Sequence, residues 1–177
     1  MNTGMRFSML LTLLCGPAFA AMTLSSADFA SGDTLPTPHI YPRCGGRNIS
    51  PQLFWSGVPN AARSLVLTMI DVDVKPSQWS HWIVVDLPAD ANSLTQGAAS
   101  LPGRARAVVS NFGDAAYDGP CPPKGTGTHH YEFTIWAMPT TSTSLAADEK
   151  ATRVTAFLSQ HALERSSLTA VVQAATP

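Results

Sequence analysis

Two carboxylates, Asp71 and Asp73, two histidines, His81 and His129, and Tyr131 are the residue types in this chain that could hold a small polar ligand or move a proton. His129 and Tyr131 close an unusual loop, Tyr117 to Tyr131, which reads Y-D-G-P-C-P-P-K-G-T-G-T-H-H-Y. Proline fixes φ and removes a backbone donor, so Pro120, Pro122 and Pro123 stiffen the first half. The amides of Lys124, Gly125, Thr126 and Gly127 are then expected to be free, and successive amides beside glycines can form an anion-binding concavity. The simpler reading is a Pro/Gly turn between strands.

Strands must position these groups. Short β-type runs cover Leu53 to Trp55, Ser64 to Asp71, Trp79 to Leu87, Ala107 to Ser110, His130 to Met138 and Leu168 to Ala174, with turn residues between them. This predicts a mainly antiparallel β architecture. One helical pattern runs from Asp148 to about Leu163, carrying Val154, Phe157, Leu158 and Leu163. Ala89 to Gly103 reads as a long loop. Because side chains alternate faces, Leu65, Leu67, Met69 and Asp71 share one face, His81 shares one with Ile83 and Val85, and His129 and Tyr131 share one with Phe133 and Ile135.

The strand ends agree as well. Asp71 ends its strand, whereas His81, His129 and Tyr131 begin theirs, and antiparallel neighbours bring such ends to one sheet edge. The plainer readings stay open beside this one. His81 can be a satisfied structural histidine, His130 a solvent-facing or paired residue, and Asp71 and Asp73 caps of the connecting turn. Trp55, Trp79, Trp82 and Trp136 suit a core or a pocket wall.

With 177 residues, 45% of them hydrophobic, the chain can build one domain with a real core. Charged residues make up only 13% and the formal net charge is −1, which argues against nucleic-acid or polybasic membrane binding. Residues 1–20 resemble a secretory leader: Arg6, an apolar run from Phe7 to Cys15, then Ala18-Phe19-Ala20 as a cleavage pattern. The run falls short of the roughly 20 residues needed to span a bilayer. A lipid anchor at Cys15 is disfavoured by Leu14 before it. The expected mature domain is 21–177, periplasmic or secreted, with no transmembrane segment. Its two remaining cysteines, Cys44 and Cys121, are expected to pair in an oxidising compartment.

Four ordered motifs carry a family resemblance: Asn48 through Pro59, Asp71-Val72-Asp73, His81 through Pro88, and the loop ending at Tyr131. Together they resemble the phosphatidylethanolamine-binding protein (PEBP) family, in the bacterial Raf kinase inhibitor-like YbhB/YbcL branch. The resemblance implies a large antiparallel sheet packed with a smaller one, peripheral helices, and a pocket for a phosphoryl or similar anion. It assigns Asp71, Asp73, His81, His129 and Tyr131 to that pocket and lines it with the Gly119 to Pro123 backbone, including Pro120. Exported members also have paired cysteines, in keeping with a Cys44–Cys121 bridge. One departure stands out: the family's D-P-D-x-P is here Asp71-Val72-Asp73-Val74-Lys75-Pro76, with the first proline missing and the next one residue later. Retention of the cis-proline geometry is left open by that change.

Function is therefore expected to be binding, with an anionic headgroup accepting hydrogen bonds from His81, His129, Tyr131 and loop amides. Neither metal nor cofactor is implied. A second reading is an interaction protein that inhibits a protease or another envelope partner. A third, hydrolase, lacks an H-E-x-x-H, a G-x-S-x-G or a zinc-type cysteine pair to support it.

Overall fold

In this computed structural model, residues 21–98 and 100–177 are described; the leader reading for residues 1–20 lies outside them. The strands are β1 (Thr23–Ser25), β2 (Leu53–Ser56), β3 (Ser64–Asp71), β4 (Trp79–Pro88), β5 (Ser93–Leu94), β6 (Arg106–Ala107), β7 (Thr128–Met138) and β8 (Glu164–Gln173), with one helix, α1 (Ala151–His161), before β8. They form a five-stranded sheet in the order β6-β4-β3-β7-β8 and a three-stranded sheet in the order β1-β2-β5. All pairings within the two sheets are antiparallel.

β3 is buried along its whole length, which explains its nearly continuous apolar sequence. Leu65, Leu67 and Met69 face the small sheet and meet Leu53 and Trp55. Val66 faces the other way, towards Ile83, Val85 and the helix residues Val154 and Leu158. Full burial of a side chain such as Leu158 contributes about 1.5–3 kcal/mol.

Several boundaries differ from the sequence reading. The helix starts at Ala151, after Asp148 and Glu149, and stops at His161 because Ala162 is extended. The Leu163 amide already donates to the Ala137 carbonyl, so Leu163 lies in the return to the sheet and is exposed rather than on an apolar helix face. β8 begins earlier, at Glu164, since its polar first half pairs with β7 and places Arg165 over the Trp136 ring. β6 is shorter and earlier than Ala107 to Ser110. β5 lies inside the stretch read as a loop, held to β2 by pairing with Leu53 and Phe54.

The loop leading into β7 is locked to the segment around residues 39–48. Cys44 and Cys121 form a disulfide, with Cα atoms 5.5 Å apart. The Tyr41 amide donates to the Pro120 carbonyl, and the Tyr117 hydroxyl donates to the His39 carbonyl. Asn48 bridges both sides of the turn, donating to the Tyr117 carbonyl and accepting from the Gly119 amide. These bonds make one wall of the site.

Candidate functional site

β3 and β7 bring Asp71 directly opposite Tyr131, while Asp71 also pairs with Trp79 at the start of β4. His81 reaches the same place by a different route. Met69 pairs with Trp82, but Ile70 pairs with Ser80, so β4 carries an extra residue at this point. Such a bulge re-aims side chains. It turns His81 away from the face of Ile83 and Val85, where strict alternation had put it, and into a cavity with Asp71 and Tyr131.

That cavity is about 320 Å³ in volume. Arg43, Trp79, Phe112, Pro122 and Pro123 complete its wall. The Phe112 ring lies 4.9 Å from His81 and 6.0 Å from Trp79. Asp71, His81 and Tyr131 are all buried, yet Trp79 and Phe112 remain more than a third exposed at the mouth.

Each polar group has a defined state. His81 Nδ1 lies 2.8 Å from the Asp118 carbonyl oxygen, which can only accept, so Nδ1 carries the hydrogen. Burial pushes the ring down to about 4, overriding the Asp118 carbonyl and the Asp71 charge. His81 is thus neutral near pH 7 and keeps a lone pair on Nε2. The Asp118 carboxyl is itself pushed up to about 7, first by burial and then by the Asp114 carboxyl. Burial, followed by the charge of Asp71, holds the Tyr131 hydroxyl protonated far above the ordinary phenol range. Among the described residues that hydroxyl makes no well-formed hydrogen bond, although the Asp71 carboxylate is near enough to help hold its proton.

His129 stands behind Asp71. Its Nδ1 is 2.7 Å from the Asp71 carboxylate and its Nε2 is 2.8 Å from the Thr126 hydroxyl. Thr126 spends its own hydrogen on the Pro123 carbonyl, so it accepts from Nε2. Both ring nitrogens therefore face acceptors, an arrangement that fits an imidazolium paired with the carboxylate. The pair offsets the negative charge of Asp71 next to the cavity.

The sequence-derived residues thus divide. Asp71, His81, Tyr131 and Pro123 meet at the cavity. His129 is one layer behind, with both nitrogens engaged, so the direct donation to a ligand expected of it goes to Asp71 and Thr126 instead. Asp73 turns outward, where its carboxylate accepts from the His130 amide and pairs with the His130 ring; its own amide donates to Asp71. Gly119 and Pro120 are buried in the supporting wall. Of the amides expected to be free, Gly125 donates to the Ala175 carbonyl of the C-terminal segment, and Thr126 donates to the Pro123 carbonyl, closing a turn. The Lys75–Pro76 peptide is cis, so a cis proline is present despite the shifted motif. Arg43, Phe112 and the side-chain role of Thr126 escaped sequence reasoning, although the adjacency of Arg43 to Cys44 was a signal that it sits beside the loop; Trp79 takes the pocket-wall place allowed for it.

Gly119 shows how tightly the wall is fitted. A Cβ there would lie 2.2 Å from the His39 carbonyl oxygen and 2.7 Å from the Tyr41 nitrogen. Gly119→Ala is expected to destabilise the fold by about 1–3 kcal/mol, as overpacking does, measured by urea unfolding. A change below 0.5 kcal/mol, on the order of a surface substitution, would show that the wall yields.

Two packed antiparallel sheets with a partly aromatic, partly ionisable pocket at one sheet edge define the PEBP fold class. The chain belongs to the phosphatidylethanolamine-binding protein family, whose model matches residues 25–173. It is similar to the UPF0098 protein YbcL of Escherichia coli strain K12, at 34% identity over 87% of this chain and 88% of that one. The UPF0098 protein YbhB of the same strain is 44% identical over 66% of this chain and 78% of its own length. A Mycobacterium tuberculosis relative, named putative lipoprotein LppC, is 37% identical over 70% of this chain and 58% of its own. The crystal structure of E. coli YbcL superposes with a TM-score of 0.81 at 33% identity, covering 86% of this chain and 98% of that one. A putative PEBP homologue from Chlamydia trachomatis gives 0.70 at 32% identity, covering 86% and 97%. Membership carries the expectation of a small-ligand-binding protein. Among the described residues no helix is long and apolar enough to cross a membrane.

Proposed function

We propose that this chain is an exported, non-enzymatic binding module whose pocket takes a small phosphoryl or similar oxyanion headgroup. The observation that carries the reading is the buried, unpartnered Tyr131 hydroxyl in the same cavity as Asp71 and His81. Tyr131 is a donor for an anionic oxygen. His81 offers only a lone pair, so the ligand must bring a proton to Nε2, as a monoanionic phosphate does, or His81 must take one up. Arg43 at the rim supplies positive charge, and the His129 pairing removes the repulsion that an isolated Asp71 would exert.

The proton requirement sets the pH dependence. An anion next to His81 favours its charged form, so binding takes up a proton and tightens as pH falls from 8 towards 5. Charge-assisted hydrogen bonds contribute about 1.5–3 kcal/mol each before ordering losses, which places bare phosphate in the micromolar-to-millimolar range. Titration with phosphate or phosphoethanolamine, followed by NMR, is expected to shift the His81 and His129 ring signals. His81→Ala is expected to weaken binding at least tenfold and flatten the pH profile. No shift of either ring at millimolar ligand would sink the assignment.

The interaction-protein reading draws support from exposed Trp79 and Phe112 on the rim. Capture of an envelope protein that survives His129→Ala would favour recognition outside the pocket. Phosphatase or esterase turnover abolished by His81→Ala would replace binding with catalysis.

A further inference from the structure

A second groove, about 560 Å³, lies on the far side of the Cys44–Cys121 bridge and shares Arg43 and Pro122 with the pocket. Leu35, Ile40 and Val172, all largely buried, form its apolar floor, and Lys124 joins Arg43 as a second cation. Among the described residues, no carboxylate side chain lines it. Arg43 and Lys124 have no ion-pair partner among the described residues, unlike Arg106 and Arg153, which pair with Asp86 and Glu149.

The groove also exposes a strand edge. On the outer side of β8, the Gly32 amide donates to the Thr169 carbonyl, the Leu35 amide to the Val171 carbonyl, and the Val171 amide to the Asp33 carbonyl. Residues 32–35 therefore cover this edge as far as Val171. Pro36, which has no amide, then leads the chain away into the turn at Thr37–His39. Gln173 is next in the outward-facing series, because the Ala174 amide turns inward to the Gly127 carbonyl. The Gln173 backbone N–H and C=O have no partner among the described residues.

An open edge beside apolar contacts selects an extended backbone, and two unpaired cations without a carboxylate select negative charge. We propose that this groove docks an extended acidic peptide segment, which pairs its backbone with Gln173 and places carboxylates on Arg43 and Lys124. The groove shares Arg43 with the pocket, but peptide docking there does not require the pocket to bind an anion.

The test is fluorescence anisotropy with a labelled Glu-Val-Glu-Val-Glu peptide, its Gln-for-Glu counterpart and a version N-methylated on alternate residues. The acidic peptide is expected to bind at least tenfold more tightly than either of the others and to weaken with added salt. Arg43→Glu combined with Lys124→Glu is expected to remove binding, while His81→Ala leaves it within twofold. Both cations are exposed, and circular dichroism would check that the double variant folds. Equal binding of the charged and neutral peptides, or no binding at millimolar peptide, would overturn the proposal. So would binding of anionic lipid vesicles, or concentration-dependent dimerisation, if lost in the same double variant while the peptide fails to bind.

Discussion

Asp71→Ala is expected to lower the free energy of unfolding by about 3–5 kcal/mol, the range for breaking one side of a buried ion pair. Asp71 is 3% exposed, and His129, its partner at 2.7 Å, is 6% exposed. Truncation leaves a buried ring nitrogen facing no acceptor and also removes the acceptor for the Asp73 amide. Urea unfolding measures the loss. Removing His129 as well should restore part of it, since no unpaired partner then remains, and a double-mutant cycle isolates the coupling. Asp71→Asn keeps the shape and an acceptor oxygen and is expected to fall between. A loss below about 1 kcal/mol for Asp71→Ala would mean that the pairing contributes little beyond an ordinary hydrogen bond.

Replacing both cysteines by serine is expected to destabilise the protein by about 4 kcal/mol, from the loop entropy released to the unfolded chain. The bridged residues are 77 apart in sequence, and this separation, more than any local contact, makes the effect large. Binding should respond less. The Tyr41 to Pro120 and Gly119 to Asn48 bonds hold the same wall without the bridge. Phosphate affinity at 10 °C is therefore expected to fall by less than tenfold while the urea midpoint drops sharply. The reverse pattern, stable folding with lost binding, would show that the bridge shapes the pocket and adds little to stability.

Much of the scaffold was legible in the residues. The Ser64 to Asp71 run is apolar enough to announce a strand, and the β3–β4 connection is short enough to favour pairing; burial of both its faces is seen only in the structure. β1 and β5, at three and two residues, are too brief for any period to appear. The convergence of Asp71 with Tyr131 followed from strand direction. That of His81 did not follow from alternation, since the apolar pattern of β4 contains no mark of an added residue. The orienting contact from Asp118 was also hidden, because a backbone carbonyl is the same at every position. The lone pair on His81 Nε2 follows from that carbonyl, and it changes the kind of ligand proton balance the pocket demands.

The bulge at His81 puts the start of β4 out of phase with the segment that follows it. Trp79 and His81 answer to the cavity; from Trp82 to Val85 the side chains alternate between the interior between the sheets and the layer beneath the helix. Variation in ligand preference can thus accumulate at Trp79 and His81 without a matching adjustment at Ile83 or Val85. Deleting one residue at the junction would bring both parts into one phase; with Trp82 removed, the imidazole would take its place opposite Met69, in the layer between the sheets.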